Sequence, residues 1–328
     1  MLCSGCSAGA IQYEVKIDTA REGVTFDELS EFLADKGKRA EIHQGASILL
    51  EEAAMRDFVD FCSDHVRTDS IRFRVGESDW KPLEDAASIM DAEWIDGIIA
   101  AQSVRFDFQP IVDGDKQVYG YECLARFRDS NGTAVSPGAA FKAARDRGRL
   151  YALDRMCRLG AVRASVHVGT KVFINFVPTS IYSPEFCLKS TVALANSLGV
   201  SPSTFVFEVV ETEKVEDIEH LKTVLAYYRD KGFSYALDDV GEGYSTIELL
   251  AELRPHYMKL DMKYAQGVAA DSDKQQVALV FLRKAQQLGS VPLAEGIEEE
   301  ADFQWLKTQG YRLFQGYGLG RPGPLPHE

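Results

Sequence analysis

Basic charge is what this chain is short of. Its 36 lysines and arginines stand against 50 aspartates and glutamates, a formal net charge of -14. That balance argues against a general nucleic-acid surface and against a polybasic membrane patch. A phosphate-bearing ligand would have to be held by metal ions and a few placed cations rather than by a basic field. Long apolar runs are also missing: none approaches the ~18 residues needed to span a bilayer. The stretch Met1-Leu-Cys-Ser-Gly-Cys6 has neither a basic n-region nor an extended apolar core. The expectation is a cytoplasmic protein with no membrane span. Cysteine is sparse, six residues scattered at positions 3, 6, 62, 123, 157 and 187, which fits reduced thiols better than a disulfide framework. What is present is globular composition: of 328 residues 45% are hydrophobic and 26% charged, enough for one large domain plus a smaller one.

The first hundred residues read as a small α+β domain. Ile11, Tyr13, Val15 and Ile17 alternate as in a strand over 10–17, and Thr25-Phe-Asp-Glu28 is a capping box opening a helix with Leu29, Phe32 and Leu33. A second helix is predicted over 47–66, with Met55, Phe58, Val59, Cys62 and Val66 on its apolar face. A strand at 70–75 and a helix near 83–101 complete the unit. Cys3-x-x-Cys6 and Cys62-x-x-His65 have the spacings of a split structural zinc site, two ligands from a loop and two from one helix face. The competing reading is a buried free thiol at Cys62, which falls on the apolar stripe.

From Val104 onward short apolar runs alternate with amphipathic stretches, the pattern of repeated βα units. Candidate strands lie at 105–112, 118–127, 171–176, 204–210, 234–239, 256–260, 290–295 and 311–315, with helices between them at 137–147 (Ser136 as cap, Pro137 in the first turn), 149–167, 183–198, 215–231, 244–253, 272–288 and 298–309. Eight strands with helical connections suit a (β/α)8 barrel, with its chemistry at the C-terminal strand ends. A doubly wound open sheet is the alternative. The domains are predicted as 1–100 and 101–328.

The stretch Ser234-Tyr-Ala-Leu-Asp-Asp-Val-Gly-Glu-Gly-Tyr-Ser245 ends an apolar run in two adjacent carboxylates, Asp238 and Asp239. A regular strand points neighbours to opposite faces, so both reach one ligand only where the strand yields to a turn, here supplied by Gly241 and Gly243. Carboxylates this close repel unless one is protonated or a cation lies between them, and a hard divalent ion suits them. A solvated Asp-Asp turn is the bland reading for the dipeptide alone. Other predicted strands also carry a polar residue near the C-terminal end: Glu122, Asn175, Glu208, Lys259, Glu295 and Gln315. Each by itself could be a turn or edge residue. Together, five carboxylates converging on one lysine and two amides would be destabilising without cations, and a two-metal site of this composition suits phosphodiester hydrolysis.

These residues fall in ordered motifs: Gln109-Pro-Ile, Glu122-Cys-Leu-Ala-Arg126, Phe173-Ile-Asn175, Glu208-Val-Val-Glu211, the Asp238–Ser245 stretch, Lys259-Leu-Asp261, Ala294-Glu-Gly-Ile-Glu298 and Phe314-Gln-Gly-Tyr317. From about Phe106 to Pro322 the chain resembles the EAL domain, the bacterial family of cyclic di-GMP phosphodiesterases of second-messenger signalling. The resemblance implies a TIM-like barrel whose first strand runs antiparallel to the rest. It implies two Mg²⁺ or Mn²⁺ ions: Glu122, Asn175, Glu208 and Asp238 holding one, Asp238 bridging to a second held by Asp239 and, through water, Glu295. Lys259 would orient and help deprotonate the attacking water, Gln315 would support metal-bound water and substrate, and Arg126 would pair with a substrate phosphate. Glu211 would anchor the loop after the fifth strand. Gln109 and Tyr244 fall in segments lining the guanine and phosphate subsites. The implied reaction is hydrolysis of cyclic di-GMP to linear pGpG, with a homodimer left open.

Two departures from the family pattern stand out. Cys123 replaces the usual alanine, at a position expected to point away from the barrel mouth. Val240 replaces the phenylalanine after the aspartates, with Glu242 at the variable position, which removes an apolar plug from the loop positioning Asp239. The alternatives are a catalytically weak cyclic di-GMP receptor signalling through the N-terminal domain, disfavoured by the full ligand set, and an interaction protein, which leaves the carboxylates unexplained.

Overall fold

The computed structural model describes residues 11–17, 26–43, 47–65, 68–76, 78–209, 218–241 and 246–325, without the side chains of 26, 27, 29, 43, 64, 65 and 70. Thr25, Val66, the zinc candidates Cys3 and Cys6, the side chain of His65, Glu211, Glu242, Gly243 and Tyr244 lie outside that description. The chain divides into two compact units, Met1–Ser103 with Phe127–Leu153, and Val104–Arg126 with Asp154–Glu328. This division differs from a single cut at 100/101.

The first unit holds an antiparallel sheet of β1 (Gln12–Lys16), β2 (Ala40–His43), β3 (Ser47–Glu51), β4 (Arg72–Val75) and β5 (Lys81–Pro82), in the order β2-β3-β1-β4-β5. Tyr13 and Val15 are buried together with Leu33, Met55, Phe58 and Cys62 of the helices Phe26–Asp35 and Glu52–His65. Two predictions need correction here. The helix expected from 47 starts only at Glu52, and β2 was not foreseen. Ile48 and Leu50 are buried with half-buried Leu49 between them, and their backbones pair with β1 on one side and β2 on the other. Long-range pairing outweighs the helical periodicity of such a short run. Cys62 is a free thiol in this core, and burial pushes its pKa up to about 12.

Arg147 explains why Phe127–Leu153 clusters with the first unit. The guanidinium, 1% exposed, donates to Glu52 (Nη1–Oε1 3.0 Å, Nη2–Oε2 2.8 Å), to Asp96 Oδ2 (Nη2 2.6 Å, Nε 3.0 Å) and to the Ile89 carbonyl (2.8 Å). Arg147→Met takes the buried cation from between Glu52 and Asp96, leaving Glu52 with Arg56 at 3.5 Å and Asp96 with Arg149 at 2.7 Å. Because both carboxylates keep a fifth or more of their surface exposed, the expected loss is at the lower end for a broken buried pair, about 3 kcal/mol. A urea midpoint unchanged from wild type would show that the cluster contributes nothing.

The barrel is closed by β6 (Val104–Asp113), β7 (Val118–Arg128), β9 (Lys171–Phe176), β10 (Phe205–Val209), β11 (Ser234–Val240), β12 (Tyr257–Leu260), β13 (Val291–Ala294) and β14 (Leu313–Gln315), all in the second unit but for the last two residues of β7, which pair with the two-residue β8 (Ala134–Val135) of the first. Neighbours from β7 through β14 are parallel, while β6 runs antiparallel to β14 and closes the ring against β7. The reversal follows from the β6–β7 connection. Asp113 accepts the Lys116 N–H and donates to the Gln117 carbonyl, a tight hairpin with no room for the crossover a parallel pair requires. The antiparallel first strand agrees with what the family resemblance implies.

The barrel interior places the site by simple alternation. Ile111, Phe173, Val206, Ala236, Tyr257, Leu293 and Leu313 form one buried apolar cluster. Side chains two apart share a face, so the next inward residue toward the mouth is Gln109 on reversed β6, then Asn175, Glu208, Asp238, Lys259, Glu295 and Gln315 on or just past the others. An apolar floor thus carries a polar layer directly above it.

Candidate active site

Lys259 is the centre of that polar layer. Its Nζ, on a side chain 1% exposed, lies 2.7 Å from Glu208 Oε1, 2.8 Å from Asp238 Oδ1 and 2.5 Å from Glu295 Oε1. Burial would lower the lysine pKa, yet the charges of Asp238, Glu208, Glu295 and Glu122 raise it well above its ordinary value, so Lys259 is an ammonium. One cation does not neutralise its surroundings. Burial, with repulsion from neighbouring carboxylates, raises Glu208 and Glu295 well above the usual carboxylate range, and burial plus the charge of Asp238 brings Asp239 to about 7.

Glu122, on β7, behaves differently. Burial acts to raise its pKa too, but the Lys259 charge and two amide donors outweigh it and hold the carboxyl below its ordinary value. Asn175 Nδ2 donates to Glu122 Oε1 at 2.9 Å and Gln315 Nε2 to Oε2 at 2.6 Å. Gln315 also donates to Gln109 Oε1 at 3.1 Å, and Gln109 in turn to the Gly320 carbonyl at 3.2 Å. Amides thus brace one side of the site while the lysine braces the other.

The adjacent aspartates reach the site differently from the expected turn. β11 does not end at Asp239 but continues to Val240, buried and in register with Leu260. Between Leu237 and Val240 the register slips, three steps on β11 against two on β12, a β-bulge with Asp239 in the left-handed region at φ +50°. The extra residue breaks the alternation, so Asp238, Asp239 and Glu295 offer carboxylate oxygens within 4.8 Å of one another. Gly241 follows at φ +108°, where an added Cβ would sit 2.7 Å from Tyr264 Cε2. Gly241→Ala is therefore expected to lower the melting temperature through about 1–3 kcal/mol of backbone strain, and an unchanged melting temperature would mean that Tyr264 and the loop yield freely.

A cavity of about 260 Å³ opens on this layer, lined by Gln109, Glu122, Asp238, Lys259, Glu295 and Gln315, and by Met262, Gln266, Glu298 and Tyr317. The last four were given no role from sequence, although Glu298 and Tyr317 stand in the motifs quoted above. Arg126 does not line the cavity. It donates from Nε to Asp107 Oδ2 (2.8 Å) and from Nη1 to the Ala125 carbonyl (3.1 Å). Asp107, two residues before Gln109 on β6, was not singled out either, and Asp261, quoted in a motif but given no role, caps the short helix Met262–Ala265 and adds to the repulsion on Asp239. Cys123 is buried away from the carboxylates' hydrogen-bond network, its thiol pushed up by burial and partnered by Ser165.

The residues present suit divalent ions. Five carboxylates share a single ammonium, and Glu208 Oε2, fully buried, receives no hydrogen bond although Lys259 lies close to its companion oxygen. Hard cations bound by Glu122, Asn175, Glu208, Asp238 and Asp239 would relieve both features.

The family model described as the EAL domain matches residues 91–322. A probable cyclic di-GMP phosphodiesterase, PdeG of Escherichia coli K12, is 29% identical over 222 residues, covering 66% of this chain and 44% of that protein. The chain spans less than half the length of the first curated relatives it matches. A standalone versatile EAL protein from Vibrio cholerae O395, solved in a c-di-GMP bound form, is 36% identical with a TM-score of 0.60, covering 67% of this chain and 92% of that one. Klebsiella pneumoniae BlrP1, solved as a calcium and cyclic di-GMP complex, covers 96% of both chains at 22% identity and a TM-score of 0.61, a likeness of fold alone. No helix among the described residues is long and apolar enough to cross a membrane. With the matched family model spanning well over half of its length, the chain belongs to the EAL domain family.

Proposed function

We propose that this chain hydrolyses cyclic di-GMP to linear pGpG in the cavity above Lys259, using two Mg²⁺ or Mn²⁺ ions. The observation that carries the proposal is the carboxylate excess around one buried ammonium, with Glu208 Oε2 unsatisfied. The names of relatives supply the substrate class: PdeG is called a probable cyclic di-GMP phosphodiesterase, and the Vibrio cholerae EAL protein was solved with c-di-GMP.

Glu122, Asn175, Glu208, Asp238 and Asp239 would hold the ions, and Glu295 would assist through water. Bound there, such ions would supply Lewis acidity to a water molecule and to the leaving oxygen. Lys259 holds its proton at Nζ and fixes Glu208, Asp238 and Glu295 around the place where the attacking oxygen must stand. Gln315, its Oε1 buried without a donor, accepts a hydrogen bond from water or substrate while its Nε2 keeps Glu122 oriented. Arg126, held at Nε by Asp107 and at Nη1 by the Ala125 carbonyl, does not line the cavity, so its pairing with a substrate phosphate requires the substrate to extend past the cavity.

Product analysis after incubation with cyclic di-GMP is the test. Mn²⁺ or Mg²⁺ is expected to give pGpG, chelator to abolish it, and Ca²⁺ to inhibit, because its longer bonds distort a tight two-ion geometry. Equal rates in Ca²⁺ and Mn²⁺ would refute that geometry. Tight binding with no product in Mn²⁺ would leave a receptor in place of an enzyme.

A further inference from the structure

A second buried ion pair lies behind the site, on the helix Leu150–Ala164. Arg158 (0% exposed) donates to Asp154 Oδ2 (1% exposed) from Nη2 at 2.9 Å and Nε at 3.2 Å, and from Nη1 to the buried Thr191 Oγ1 at 2.7 Å. Such a pair is a poor stabiliser, since apolar side chains of the same volume often serve as well or better. A further role is open to it, and the remaining carboxylate oxygen supplies one. Asp154 Oδ1 accepts the Val177 N–H at 3.0 Å. Val177 is the residue after β9, and its carbonyl is taken in turn by Ser180 Oγ at 2.7 Å. Both backbone polar groups of Val177 are therefore withdrawn from the β9–β10 ladder, whose last pairs are Glu208↔Asn175 and Val209↔Phe176. The exit of β9 is set by Asp154, two residues beyond Asn175, whose amide holds Glu122 at 2.9 Å.

We infer that Asp154, itself oriented by Arg158 and Thr191, is a positioning residue: it fixes where β9 ends and so holds Asn175 in register with Glu122. Its consequence for metal binding rests on the function proposed above; the register of Asn175 does not.

Two double variants separate positioning from plain stability. Asp154→Leu with Arg158→Met removes the charges together and fills their space, but leaves Val177 N–H without an acceptor. Asp154→Asn with Arg158→Gln also removes the charges, yet can keep the chain of hydrogen bonds, amide oxygen to Val177 N–H and amide to amide to Thr191. The Leu/Met protein is expected to melt within a few degrees of the Asn/Gln protein. It is expected to show displaced side-chain amide signals of Asn175 by NMR and to lose Mn²⁺ affinity by about 10–100-fold in calorimetry, the usual range for groups that orient ligands. The Asn/Gln protein is expected to keep the wild-type Asn175 signals and to hold Mn²⁺ affinity within about three-fold, well short of that range. Wild-type Asn175 signals in both doubles, or a loss of Mn²⁺ affinity in both that tracks melting temperature, overturns the inference. If wild type itself binds no Mn²⁺, the metal reading fails, and the Asn175 signals alone decide the role of Asp154.

Discussion

Lys259→Met is expected to slow hydrolysis of cyclic di-GMP by a factor on the order of 10² or more, the scale of losing one preorganised charge or donor at the transition state, while cyclic di-GMP affinity in Mn²⁺ stays within a few-fold. Methionine fills the buried space of a side chain 1% exposed, so the change removes charge rather than packing. What is lost is an ammonium within 2.8 Å of three carboxylates, a contribution larger at the transition state than in the bound ground state. A second consequence follows from the same geometry. Without its cation the cluster of Glu208, Asp238 and Glu295 repels itself, so the variant should melt below wild type in chelator and gain more from added Mn²⁺. Product formation, calorimetry and melting with and without Mn²⁺ are the measurements. A variant that turns over at the wild-type rate sinks the role of Lys259, and an unchanged response to Mn²⁺ sinks the electrostatic account.

Glu122→Gln should fail in a different way, losing metal affinity, substrate affinity and rate together. Both oxygens of Glu122 accept from side-chain amides, Asn175 at 2.9 Å and Gln315 at 2.6 Å. A glutamine there turns one acceptor into a donor facing a donor, and removes a carboxylate whose neighbours hold it below its ordinary pKa. Mn²⁺ affinity is expected to fall by at least the 10–100-fold seen when only an orienting partner of a metal ligand is lost, and the rate with it. The contrast is diagnostic: a metal site predicts that Lys259→Met spares binding whereas Glu122→Gln does not. If both substitutions affect rate alone, Glu122 does not hold an ion.

Much of the barrel was legible because its strands are short apolar runs in which each inward residue ends in a polar one two positions on. Phe173 then Asn175, Val206 then Glu208, and Tyr257 then Lys259 can be paired by counting. The small α+β domain was less legible. Ser47-Ile-Leu-Leu-Glu51 carries no turn signal before Glu52 and suits either a strand or the first turn of a helix; pairing with β1 and β2 decides between them.

By itself the sequence determined which residue types would stand at the mouth of the barrel, since alternation along a strand is a local rule, and through its ordered motifs it pointed to the EAL domain family. Only the tertiary structure decided how those groups meet. The bulge that turns Asp239 beside Asp238 exists because β11 must accommodate an extra residue against β12. The Asp107 partner of Arg126 lies 19 positions away on a reversed strand, and Asp154 reaches Val177 across 23. Hydrogen bonds and ion pairs depend on distances of a few ångströms between segments far apart in the chain, and no periodicity along the chain encodes those distances.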